Sequence, residues 1–254
     1  MRVKLTVAYD GTNYHGWQIQ NNALSVEEVL TEALRELLGE ETELAGASRT
    51  DAGVHALGNV AVFDTNTRIP AEKIAIAVNQ RLPEDIRVMR SEEVPQYFHP
   101  RYCASRKTYE YRITNAEIQQ PVKRLYSHFV YIPLNVERMK ETAKYFCGKH
   151  DFGGFCSAGS QVRTTVRTIY DLQIVQEDED IRICITGNGF LYNMVRIIAG
   201  TLIEIGMGRR EPETVRQALR QADRSLAGPT APAHGLRLMQ IEYEENRQEY
   251  RDDN

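Results

Sequence analysis

Gly46-Ala47-Ser48-Arg49-Thr50-Asp51-Ala52-Gly53-Val54-His55-Ala56 sets one carboxylate among small residues, two positions after a cation. Ala52 and Gly53 leave open space beside Asp51, and Arg49 biases it toward its anion, which is a nucleophile or a base. Asp and Gly are also ordinary turn residues, and taken alone the string reads first as a tight turn. Either way it joins two strands, one over residues 42–47 that delivers it and one over 59–64 that leaves it. Loops at strand ends are where a sheet presents chemistry.

Upstream, residues 4–9 are β-prone and partly alternating, and end in the turn signal Asp10-Gly11-Thr12-Asn13. Trp17 reads as a core residue in the loop that follows. Ser25-Val26-Glu27-Glu28 is a capping box, and Val26, Val29, Leu30, Ala33, Leu34, Leu37 and Leu38 recur at helical spacing until Gly39 stops them. Downstream, residues 70–82 read as a helix opened by Pro70 and ended before Pro83. Residues 86–90 then make a strand and Ser91-Glu92-Glu93-Val94-Pro95 a loop.

The second half interleaves basic and aromatic residues. Phe98-His99-Pro100-Arg101-Tyr102 leads to a strand over 108–114 with Tyr109, Tyr111 and Ile113 on one face and Glu110 and Arg112 on the other. That pattern fits an aromatic core face flanked by solvated charge. It also fits RNA binding, with arginines on phosphates and a tyrosine ring against a base. A helix over 135–147 is capped by Asn135 and stopped by Gly148. A polar loop over 156–162 leads into Arg163-Thr164-Thr165-Val166-Arg167. Two strands, 169–176 and 181–186, flank the acidic turn Glu177-Asp178-Glu179-Asp180. A long helix follows Gly189, with Met194, Ile198, Leu202 and Ile205 as its apolar stripe and Arg196 offset from it. A last helix over 211–222 and a strand over 238–243 complete the pattern.

With 254 residues and 42% hydrophobic content the chain can bury a sizeable core. No apolar run reaches the length of a membrane span and no secretory signal opens the sequence, so a cytoplasmic location and no membrane partner are expected. Cys103, Cys147, Cys156 and Cys184 are dispersed, and the six histidines are scattered. The expectation is free, mostly buried thiols and no metal. The net charge of −4 is uneven: residues 241–254 carry six acids against two bases, whereas 101–124 carry six bases against two acids. An anionic partner can therefore meet a local basic stripe.

The Asp51 string resembles the signature of the tRNA pseudouridine synthases of the TruA type, many of which carry Gly where Ser48 stands. Tyr9-Asp10-Gly11, Tyr14, Gly16-Trp17-Gln18 and Gln20 are similar to that family's first motif. Lys107-Thr108-Tyr109-Glu110-Tyr111, Phe190-Leu191-Tyr192-Asn193-Met194-Val195-Arg196 and His234-Gly235-Leu236-Arg237-Leu238 resemble later ones, in the same order. The resemblance runs from Val3 to Glu244. It implies an α+β fold of two α/β halves with mainly antiparallel sheets, carried here by residues 1–103 and 104–245. A disordered acidic tail is expected over 246–254.

What the resemblance implies chemically is isomerisation of uridine to pseudouridine at positions 38, 39 and 40 of the tRNA anticodon stem-loop, by a homodimer and without a cofactor. Asp51 would be the nucleophile, Tyr109 would stack on the uracil, and Arg196 would pair with Asp51 and keep it ionised. Arg49 would ease base flipping. Phe98, His99, Pro100, Arg101 and Tyr102, with Ser160, Gln161, Val162, Arg163 and Thr164, would contact RNA. Two other readings compete: a catalytically silent RNA-binding module, and a sugar glycosidase. The glycosidase reading needs a second acid beside Asp51, and none lies near it in sequence.

Overall fold

The structure, a computed structural model, describes residues 1–159 and 162–244. Ser160, Gln161 and the acidic tail lie outside the described residues. The chain forms two compact units, one comprising Met1–Ser105 with the strand from Leu238 onward, the other Arg106–Arg237. The final strand, read from sequence as the end of the second half, thus belongs with the first.

In the first unit the sheet order is β4 (Ile86–Val94), β1 (Arg2–Tyr9), β3 (His55–Asp64) and β10 (Leu236–Tyr243), with the two-residue β2 (Ala45–Gly46) also on β3. β1 runs antiparallel to both neighbours and alternates strictly, burying Val3, Leu5, Val7 and Tyr9. Helix α1 (Val26–Leu38) contributes Leu30 and Leu34, and α2 (Ala71–Val78) contributes Ile74 and Val78, all wholly buried. The Ser25 hydroxyl accepts the Glu28 N–H at 3.3 Å and Gly39 closes α1 in the left-handed region.

Three local departures from the sequence reading have physical causes. The strand expected over 42–47 shrinks to Ala45–Gly46, because the Glu40 carboxylate takes the Asn66 N–H and the Thr65 hydroxyl where a ladder would have run. Helix α2 stops at Val78 because the Asn79 amide pairs with both backbone groups of Val88, each at 2.8 Å, so its side chain behaves like an added strand residue. Strand β4 continues through the presumed loop to Val94, held by Arg2 opposite Val94 and by a 2.6 Å ion pair between Lys4 and Glu92.

The second unit holds a sheet ordered β5 (Ser105–Asn115), β9 (Asp180–Gly187), β8 (Val166–Glu177) and β7 (Gly148–Asp151), with β6 (His128–Val130) parallel to β5. The β8–β9 hairpin turns on Asp178 and Glu179 alone, with Asp178 at φ +53°. Helix α3 (Val136–Ala143) is shorter than expected and relaxes into a 3₁₀ turn over Lys144–Phe146. Helix α5 (Glu213–Gln221) begins after Pro212. Helix α4 (Met194–Gly206) is buried at eleven of its thirteen positions, so the expected stripe is apolar almost all round. Fold class is therefore mixed α+β.

Candidate active site

The loop carrying Asp51 is held at its backbone from below. Trp17 N–H donates to Thr50 O at 3.1 Å, Gly53 N–H to Tyr14 O at 3.1 Å, and Val54 N–H to Asp51 O at 3.1 Å. Asn59, fully buried, donates to Ser48 O at 3.1 Å, and the Tyr9 and Thr50 hydroxyls meet at 2.7 Å. Gly16 approaches so closely that a Cβ there would stand 2.4 Å from Thr50 O. Thr50 is buried while Asp51 is half-buried and Arg49 exposed, so the clamp fixes the backbone and leaves these two residues more accessible than the one between them.

The first motif builds that clamp. Trp17 is a core residue, 1% exposed, but its indole N–H also donates to Glu27 at 3.3 Å while the second Glu27 oxygen accepts Ile19 N–H. The Nδ1 atom of His55 lies 3.0 Å from both Gly11 N and the Asp10 carboxylate, tying the far end of the loop to the same motif. A cleft of about 630 Å³ beside the loop is lined by Trp17, Gln18, Thr42, Gly46, Arg49 and Arg101 among others. Arg49 and Arg101 therefore face one space, although 52 positions separate them in sequence.

In the segment expected to touch RNA, Phe98 is buried against Tyr243 at 4.8 Å and Pro100 O accepts the Tyr243 hydroxyl at 3.0 Å. These residues anchor the turn. His99 stacks on Tyr102 at 4.2 Å, and Arg101 and Tyr102 are exposed. Arg101 N–H donates to His99 Nδ1, and burial together with Arg101 and Arg2 holds this imidazole below its ordinary range.

In the second unit Tyr109 is buried and meets Phe190 edge to face at 5.1 Å. Arg196, offset from the apolar stripe of α4, is bonded through its guanidinium. Its Nε donates to Ala231 O at 2.8 Å and its terminal nitrogen to Asn193 Oδ1 at 2.7 Å. Val162, Arg163 and Thr164 are exposed. The same strand corrects one expectation: Glu110 is buried, not solvated, because Arg112 at 2.7 Å and Arg237 at 3.4 Å compensate it. The basic stripe is correspondingly thinner than sequence suggests, since Arg112 is engaged by Glu110 and Lys123 by Asp180 at 2.7 Å. Arg106 lies over the Tyr170 ring at 4.8 Å.

All four cysteines are free and of intermediate exposure, less buried than expected. Burial raises the Cys147 and Cys184 thiols, with Asp171 and Glu110 adding to it, which makes them poor nucleophiles. Among the described residues no helix is long and apolar enough to cross a membrane.

The role of the histidines beside Tyr111 escaped sequence reasoning. The His128 ring lies 6.5 Å from Tyr111 and 6.4 Å from His234, and burial followed by His234 pushes its imidazole down to about 4. A folded-state value below the ordinary 6.5 costs nothing above that pH and destabilises the fold as pH falls from about 6.5 toward 4, where the unfolded chain takes the proton first. His128→Asn is expected to flatten part of the decline in Tm across that window in calorimetric scans. The remainder belongs to groups such as His99. An unchanged pH slope would refute the assignment.

The chain matches the family described as tRNA pseudouridine synthase over residues 5–103 and 142–244. Tyr109 falls in the interval between those segments. The tRNA pseudouridine synthase A of a Thermoanaerobacter species is 52% identical over 241 residues, spanning 95% of this chain and 99% of that protein. The enzyme of the same name from Ruminiclostridium cellulolyticum is 52% identical over 243 residues, with the same coverage. That from Acetivibrio thermocellus is 47% identical over 241 residues.

Proposed function

This chain belongs to the tRNA pseudouridine synthase family, and on that premise we propose how its own residues isomerise uridine at tRNA positions 38, 39 and 40. The protein is an isomerase that converts tRNA uridine to pseudouridine. The C1′–N1 bond breaks, a C1′–C5 bond forms, the C5 proton leaves to water and N1 gains one, so neither redox cofactor nor activated group enters the balance.

Asp51 is the catalytic carboxylate. Attack at ribose C1′, attack at uracil C6 and removal of the 2′ proton all start from the same ionised side chain. Arg196 holds it ionised, since a neighbouring cation favours the anion. Tyr109 stacks on the uracil. Arg49 occupies the space a flipped nucleotide vacates, and Arg101 and Tyr102 meet the RNA with Arg163. The same reading makes the enzyme a cytoplasmic homodimer whose second copy helps hold the tRNA, which sedimentation with and without tRNA would test.

The observation that supports this assignment best is the clamp under the Asp51 loop. A turn that merely joins strands has no need of Gly16 pressed against Thr50 O or of Trp17 N–H bound to it.

The test is tritium release from tRNA labelled at uracil C5, with the product mapped by carbodiimide adducts and primer extension. Release is expected from transcripts with uridine at 38, 39 or 40 and not when cytidine replaces all three. Modification elsewhere would overturn the positional assignment. Binding without release would favour the silent RNA-binding module.

A further inference from the structure

Asn193 stands immediately before α4 at φ +60° and ψ +7°, in the left-handed region. A residue there ordinarily turns its side-chain oxygen onto a backbone N–H of the first helical turn. Asn193 makes no such bond. Its Oδ1 instead accepts the Arg196 guanidinium at 2.7 Å, and its Nδ2 donates to the Ser157 hydroxyl at 2.9 Å.

The network settles which way the amide points. A guanidinium has only donors, so the Asn193 atom facing it is the oxygen, and Ser157 receives the amide hydrogen. Ser157 is itself fixed by donating its backbone N–H to Tyr192 O at 3.1 Å. On the other side Arg196 Nε donates to Ala231 O at 2.8 Å, and Ala231 N–H returns a bond to Arg196 O at 3.1 Å. Two acceptors on different nitrogens define the plane of a guanidinium, which is rigid and directional in what it can pair with.

We propose that Asn193, aligned by Ser157, is a positioning residue that sets the plane of the Arg196 guanidinium for its encounter with the catalytic carboxylate. A helix cap and an unstrained backbone are given up at this position in exchange for that orientation. Local rules are commonly broken this way at functional sites. The inference rests on the proposed action of Arg196 on Asp51.

Asn193→Gly separates positioning from structure, because glycine adopts positive φ without strain. Its Tm is expected to equal or exceed that of the wild type. Its kcat for tritium release is expected to fall about 10-fold to 10²-fold, the scale of a small misplacement in a catalytic constellation. The acidic limb of the kcat profile should move to higher pH, since a misdirected cation favours the Asp51 anion less. Asn193→Asp, which keeps the acceptor, should recover much of the rate, and Ser157→Ala should lose a smaller part in the same direction.

Arg196→Met is the reference. If it shifts the acidic limb and Asn193→Gly does not, the positioning role fails while the reading of Arg196 stands. If Arg196→Met leaves the limb in place, the Arg196–Asp51 reading fails and takes this inference with it. In the Arg196→Met background, Asn193→Gly should cost nothing further; an additional loss of equal size would likewise overturn the proposal.

Discussion

Asp51→Asn is expected to abolish tritium release from C5-labelled tRNA, by at least about 10³-fold in kcat, because the proposed reaction starts from the ionised Asp51 carboxylate, which no other group of the site replaces. The substitution is close to isosteric. Val54 N–H donates to Asp51 O, a backbone bond that survives the change. Tm should therefore stay within about 2 °C of the wild type, and tRNA affinity should be retained. Asp51→Ala guards against slow deamidation of Asn back to Asp and should be equally inert. Release by the Ala variant at more than a few per cent of the wild-type rate would remove Asp51 from the chemistry.

Gly16→Ala tests the clamp beneath that carboxylate. Gly16 has φ +88°, and a Cβ there would meet Thr50 O at 2.4 Å, then the Asp51 carbonyl carbon at 3.2 Å. A left-handed alanine costs about 1–2 kcal/mol, and forcing apart close-packed backbone costs about 1–3 kcal/mol. At about 2–4 °C per kcal/mol for a chain of this size, Tm should fall by several degrees. Displacing Asp51 by a fraction of an ångström should also slow the fully folded enzyme at 25 °C by about 10-fold or more.

Gly39→Ala supplies the comparison. It too has positive φ, at +67°, but no atom lies within 4 Å of its added Cβ. It should lose stability and keep its rate. Equal activity in both variants would mean that the clamp supports the fold and not the chemistry.

What could be read in the sequence was what local chemistry dictates. The capping box at Ser25 and the stop at Gly39 bound α1 as written, and the alternation of β1 is the alternation of its burial. Elements whose limits depend on distant partners were misjudged. Asn79 ends α2 by pairing with Val88, and Lys4 extends β4 through Glu92, contacts that residue periodicity does not register. Glu110 looked solvated because Arg237, one of its two compensating cations, lies 127 positions away.

The candidate site divides in the same way. Asp51 and Arg49 stand out in a short string, and their supporting loop was legible through its motif. The facing of Arg49 and Arg101 onto one cleft, and the bond from Asn193 to Arg196 in place of a cap, follow only from three-dimensional placement.

The first unit is assembled from both ends of the chain. Residues 1–105 leave the ribosome long before β10 exists. At about 5–20 residues per second, synthesis of the intervening segment lasts roughly ten seconds. Throughout that interval the edge of β3 is covered only by the two-residue β2, and the rest of it is an invitation to wrong partners. Tyr243 is not yet present to close over Phe98 and Pro100. The Asp51 loop thus rides on an unfinished sheet until translation has passed residue 243, and a nascent chain stalled short of that point would hold the loop without the scaffold that aligns it.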